Sequence, residues 1–155
     1  MLKKLSILAA SFALVTGCAT VPLEEPTKTE QALTFAAPQS GNAGVYIYRR
    51  ASIAGTALKK DLWINGDCVG ESAPGVFFYR EVPGNQEHVI ATESEFSPNE
   101  ITLATTPGEL HFIEQYIKMG LFVGGANVAE RSAEEGRKAV AKLSLAKSGH
   151  CSGPR

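Results

Sequence analysis

Three turn signals punctuate the middle of this 155-residue chain: Asn65-Gly66, Pro83-Gly84 and Pro107-Gly108. Asn-Gly places side by side two residues that tolerate positive φ, as a two-residue hairpin turn requires. Between the turns run short segments rich in β-branched and aromatic residues, such as Val45-Tyr46-Ile47-Tyr48-Arg49, Val76 to Val82 and Leu110 to Ile117. Short runs at roughly 8–12-residue spacing are the pattern of a sandwich or barrel, not of a helix bundle. Further strands are predicted over Lys60 to Ile64, Cys68 to Glu71, Glu87 to Glu93, Glu100 to Thr105 and Ala126 to Glu130. The apolar, glycine-rich stretch from Met119 to Gly125 reads either as a loop or as a continuation of the sheet.

Alternation along these runs is mixed. Val76, Phe78 and Val82 oppose Phe77, Tyr79 and Glu81, and Leu110 and Phe112 oppose His111 and Ile113. Strands apolar on both faces need a cover on each. The cover is predicted near the C-terminus. Ser132-Ala133-Glu134-Glu135 has the spacing of a capping box, and Gly136, Val140 and Leu143 follow at helical intervals. A helix over about 132–146 is the expectation. The fold class is therefore all-β: a small β-sandwich of about 7–8 strands with one C-terminal α-helix.

Hydrophobic residues at 44% and charged residues at 20% exclude a disordered tail. Lys and Arg number 15 against 16 Asp and Glu, so nothing steers the chain toward nucleic acid. No nucleic-acid partner is expected.

The N-terminus is of a different kind. Met1-Leu2-Lys3-Lys4 is cationic, Leu5 to Val15 is apolar but for Ser6 and Ser11, and Val15-Thr16-Gly17-Cys18 follows. That is the layout of a secretory signal, and the apolar run is too short to span a bilayer. Its ending resembles a bacterial lipobox, with Val15 at the aliphatic position, Thr16 and Gly17 at the small positions and Cys18 at the modified one. The resemblance implies cleavage between Gly17 and Cys18, diacylglycerol on the Cys18 thiol and an acyl chain such as palmitate on the new amine. Several acyl chains exceed the two signals that stable anchoring needs. Ala19 follows the cysteine. In enterobacterial lipoproteins an Asp there resembles an inner-membrane retention signal, so its absence implies the outer membrane, periplasmic face. On this reading residues 1–17 are a signal peptide, 18–42 the lipidated cysteine and a flexible tether, and 43–151 the β-sandwich domain. The tether reading rests on Pro22, Pro26, Pro38 and the lack of periodicity over 19–42, with Leu33-Thr34-Phe35 able to dock as a first edge strand.

Cys68 and Cys151 remain. An even pair in an oxidising compartment favours a disulfide. It would close a loop of about eighty residues and stabilise the fold by about 4–5 kcal/mol before strain. Two buried thiols or a metal pair are the alternatives. Metal is poorly served, since Cys68 has no neighbouring His or Cys and His150 beside Cys151 is a single adjacent donor.

Several of these segments together resemble the small proteobacterial lipoproteins grouped as the domain of unknown function 2846 family. The likeness lies in Val45 to Arg49, Trp63-Ile64-Asn65-Gly66 with Val69-Gly70, Gly75 to Tyr79, Val82-Pro83-Gly84 with His88, and Pro107-Gly108 before Phe112-Ile113. It runs from about Ala43 to Leu145. The corner from Pro83 to His88 also resembles the proline-glycine turn of PEGA-type modules with transthyretin-like sandwiches. These resemblances imply an all-β domain and bring no catalytic residues.

No nucleophile elbow, P-loop, dinucleotide fingerprint or zinc-protease motif is present. His88, His111 and His150 are far apart in sequence and read as isolated, not as a metal site. Glu93 and Glu95 share a face if their strand continues, which would suit carboxylate hydrolysis. Cys68 with His88 would suit a thiol nucleophile only if Cys68 were free. Tyr46, Tyr48 and Trp63 are a possible binding patch, able to stack on a sugar or grip a protein if exposed. Buried, they would be a second core layer under the helix. The expectation is a lipid-anchored envelope protein without cofactor, catalytic centre or metal, binding an envelope protein or a cell-wall glycan. A purely structural envelope component and a carboxylate-dependent hydrolase are the alternatives.

Overall fold

The computed structural model describes residues 18–53, 55–118, 120 and 124–154. The signal-like segment 1–17 lies outside them, as do Met119 and Leu121 to Val123 of the apolar stretch. Nine strands are described: β1 Asn42–Arg49, β2 Lys60–Ile64, β3 Asp67–Ser72, β4 Val76–Pro83, β5 Glu87–Thr92, β6 Asn99–Ala104, β7 Leu110–Lys118, β8 Gly125–Arg131 and β9 Ser144–Leu145. Two helices accompany them, α1 Pro26–Ala32 and α2 Ala133–Val140. One sheet has the order β8-β7-β1-β4-β9 and the other β3-β2-β5-β6. The two face each other as a sandwich.

The turn pairs act as their residues dictate. Asn65 and Gly66 take φ of 53° and 88° and close the β2–β3 hairpin. β1 lies in the middle of its sheet, antiparallel to β4 and parallel to β7, and every residue from Ala43 to Arg49 is buried. Its alternation divides two cores. Ala43, Val45 and Ile47 point between the sheets with Leu62, Ile64, Phe78, Ile90, Leu103 and Ile113. Tyr46 and Tyr48 point outward, into a second core with Phe77, Phe112, Ala139, Val140 and Leu143 beneath the helices. A central strand buried on both faces explains the mixed alternation.

Ser132 caps α2, accepting from Glu135 N at 3.3 Å and donating to Glu135 Oε2 at 3.0 Å. The helix ends at Val140, earlier than residue 146. Ser144 N then donates to Gly75 O and Ala146 N to Phe77 O, so the chain leaves the helix to pair with β4 as β9.

The largest departure from expectation is the segment 19–42, which is docked along most of its length. Leu23 bridges Ala146, Glu24 N donates to Leu145 O, and Lys147 N donates to Pro22 O. Pro26 opens α1, and the Phe35 ring lies 5.4 Å from Tyr46 and 6.0 Å from Phe112. Leu33-Thr34-Phe35 follows α1 instead of forming an edge strand, and Phe35 turns the chain with φ of 51°. A seven-residue helix is too short to hold itself in water, so tertiary contact sets it.

Candidate binding site

α1 crosses the outer face of the larger sheet and leaves a cleft of about 440 Å³ between itself, β1 and β4. Its floor is aromatic: the Tyr46 and Tyr79 rings are 4.7 Å apart and tilted by 43°. Gly44 makes room for this floor, because a Cβ there would lie 2.9 Å from the Tyr79 hydroxyl oxygen and 2.6 Å from Leu110 Cδ2. Tyr46 Oη donates to Ala32 O at 2.8 Å, tying the floor to α1. Tyr79 Oη donates to Glu81 Oε1 at 3.2 Å. Glu81 Oε2 accepts from Asn42 Nδ2 and Gln39 N, both at 3.0 Å. At the rim Lys28 Nζ pairs with Glu24 Oε2 at 2.8 Å, and Gln31 stands exposed beside them.

Burial pushes the Tyr46 phenol up to about 12, with Arg137 opposing it. Burial first, then the charge of Glu81, holds Tyr79 still further above its ordinary value. The Asn42 hydrogen bond, helped by Gln39 N and Tyr79, keeps Glu81 below the usual carboxylate range. At neutral pH both phenols are therefore neutral, and the cleft presents the half-buried Tyr79 ring with the carboxylates of Glu24 and Glu81 and the Lys28 ammonium. Such a set suits a ligand carrying hydroxyl and ammonium groups on a flat apolar face.

Of the possible patch Tyr46, Tyr48 and Trp63, none is exposed: they show 2%, 1% and 4% of their surface. Tyr46 and Tyr48 lie under the helix layer as a second core, the buried alternative, and form no exposed patch; only Tyr46 borders the cleft. Trp63 sits on β2 opposite Cys68 and Ala91, where the C-terminal tail passes. That tail is held by the Cys68–Cys151 disulfide, with Cα atoms 6.1 Å apart. It is also held by Asp61, a buried carboxylate that accepts from Ser152 N at 2.9 Å, Ser152 Oγ at 2.7 Å and Gly153 N at 3.2 Å. Asp61 lies within β2, and a single Asp inside a strand gives no sequence signal for this.

The bridge leaves Cys68 no thiol for nucleophilic chemistry. Glu93 Oε1 pairs with Lys60 Nζ at 3.0 Å. The histidines stay apart. His88 is buried, its Nε2–H donating to Pro83 O at 2.8 Å and its Nδ1 accepting from Asn65 Nδ2 at 2.9 Å. His111 Nδ1 meets Glu130 Oε1 at 3.0 Å, and His150 is exposed. Among the described residues no three His, Cys, Asp or Glu side chains are grouped to hold a metal ion. None of their helices is long and apolar enough to cross a membrane.

No solved structure matches the chain. An uncharacterized protein of Haemophilus influenzae is 50% identical over 133 residues, covering 86% of this chain and 78% of the relative. The family model described as a protein of unknown function (DUF2846) matches residues 39–126, from just before β1 into the start of β8. On that match and that relative, the chain belongs to the DUF2846 family.

Proposed function

We propose that this protein is an outer-membrane lipoprotein facing the periplasm, acylated at Cys18 after cleavage behind Gly17, with a non-catalytic binding domain. The observation that carries the reading is the division of the three cysteines. Cys68 and Cys151 are bonded to each other, whereas Cys18 is a free thiol, exposed on the surface. An internal disulfide suits an oxidising compartment, and a free cysteine behind a signal-like segment suits lipid attachment.

The binding surface is the cleft under α1. Its tyrosine floor and the carboxylates of Glu24 and Glu81 favour a cell-wall glycan and its attached peptide, with an envelope protein as the second candidate. Cells fed an alkyne-tagged fatty acid should label the wild-type chain and not Cys18→Ser, which should leave the membrane fraction. Equal labelling of the two chains would overturn the anchor. A photo-crosslinker at Gln31 or Lys28 should capture cell-wall fragments or one envelope protein. Adducts no richer than those from a crosslinker at Thr102, exposed on β6 of the opposite sheet, would overturn the cleft as a binding surface.

A further inference from the structure

An acyl group on Cys18 would emerge at a fixed place on the sandwich, with no slack. Ala19 N donates to Thr56 O at 2.8 Å, and Val21 packs against the core between the sheets. Cys18 is thus held beside the loop that joins β1 to β2. Acyl chains on Cys18 would leave the protein there directly, so lipid headgroups would meet this loop and not the end of a long tether.

The same end carries the two most exposed large apolar side chains of the described residues. Ile53, in the β1–β2 loop, shows 94% of its surface, and Phe96, in the β5–β6 loop, shows 77%. The strand registers put both loops at one end: Arg49 pairs with Val76, Leu62 with Thr92 and Lys118 with Gly125. Lys60 Nζ to Glu93 Oε1 at 3.0 Å ties the two loops' flanks. The opposite end is made of the turns at Asn65-Gly66, Pro83 to Asn85 and Pro107-Gly108, where Gly84 N donates to Gly41 O and Gly108 N to Asn42 O. That end has polar turn residues and no comparably exposed side chain of this kind. An apolar tip beside an acylated cysteine is the geometry of a protein resting on a membrane interface.

We infer that the loop end bearing Ile53 and Phe96 lies against the lipid surface, so that the domain stands on its β1–β2 and β5–β6 loops with the turn end pointing away. The inference rests on acylation of Cys18. It assigns the bilayer as the partner of these loops and fixes which face of the domain remains open to the envelope.

The test uses the full chain matured in cells and reconstituted into vesicles of phosphatidylethanolamine and phosphatidylglycerol. Nitroxide labels are placed at Ile53→Cys, Phe96→Cys and, at the far end, Gln86→Cys. All three positions are exposed, so the labels do not disturb the core. Collision with oxygen, which concentrates in lipid, is compared with collision with a water-soluble nickel chelate. The oxygen-to-nickel ratio at positions 53 and 96 should be several-fold above that at 86. Anchored protein whose three labels give the same aqueous ratio would overturn the orientation and leave the anchor standing. Protein that carries no lipid and stays in solution would overturn both.

Discussion

Gly136 lies against Phe112 so closely that a Cβ at position 136 would fall 2.2 Å from Phe112 Cβ and Cγ. The helix α2 can approach the sheet only because that atom is missing. Helix propensity alone favours alanine over glycine by up to about 1 kcal/mol. Overpacking a tight contact costs about 1–3 kcal/mol. Gly136→Ala should therefore lower stability, by up to about 2 kcal/mol, in urea unfolding followed by circular dichroism. A gain would show that α2 can shift outward freely.

The C-terminal tail is fastened twice, and the two fastenings should depend on each other. Cys151→Ser removes a bridge spanning 83 residues and should cost about 3–5 kcal/mol. Asp61→Asn weakens the charged clamp on Ser152 and Gly153 and should cost about 1.5–3 kcal/mol in the bridged protein. With Cys151→Ser already present, the tail is loose and the same change should cost at least about 1 kcal/mol less. Thermal melts of the two single variants and the double variant measure that coupling, and strictly additive losses would show that the clamp holds the tail without the bridge.

How much of this was readable from residues depends on whether the signal was local. Asn65-Gly66 needs only its own backbone to turn, and Ser132 needs only Glu135 to cap α2, so both appear in the sequence as they stand in the fold. The disulfide was legible because Cys68 and Cys151 form an even pair with no neighbouring metal ligand, once residues 1–17 are read as a secretory signal. The segment 19–42 was not legible, because α1 has no buried face of its own and is fixed by the Tyr46 hydroxyl, the Phe35 ring and the β9 ladder. The helix after Ser132 stops short of residue 146 because Ser144 and Leu145 pair with Val76 and Phe77, partners distant in sequence that helical spacing does not reveal. The cleft floor was half visible: Tyr46 stood out as an aromatic residue, but the role of Glu81 depends on Asn42 and Gln39, about forty residues away.

The Tyr46 phenol supplies a pH dependence whose sign is fixed. Its ordinary value is 10.0, and burial raises it to about 12 in the folded protein. The neutral phenol is favoured on folding, so this contribution is fully present below pH 10 and is lost as pH rises from 10 to 12. Two units correspond to about 2–3 kcal/mol. Tyr46→Phe loses the bond to Ala32 O and should be less stable at pH 7 by about 1 kcal/mol. As the pH passes 10 that deficit should shrink and then reverse, because phenylalanine has no proton to release on unfolding. Urea unfolding of both proteins across the range, with the disulfide kept oxidised, would show the crossing. Parallel curves would mean that Tyr46 is hydrated in the folded state.

Phe35 is where the N-terminal segment is pinned. Its ring contacts Tyr46 and Phe112 on one side, and Arg137 lies 4.9 Å above it. Its φ of 51° is costly for a residue with a side chain, by about 1 kcal/mol or more, so the ring contacts must outweigh it. Phe35→Gly removes the ring and the backbone strain together, whereas Phe35→Ala removes the ring and keeps the strain. Amide exchange over residues 26–37 should accelerate in both, by about tenfold or more in Phe35→Ala and less in Phe35→Gly. Exchange in β1 should stay close to wild type, since Ile47 and Val45 remain packed between the sheets. Faster exchange throughout the larger sheet would instead mean that the docked segment is part of the domain's cooperative core, and that the cleft beneath it cannot open without unfolding.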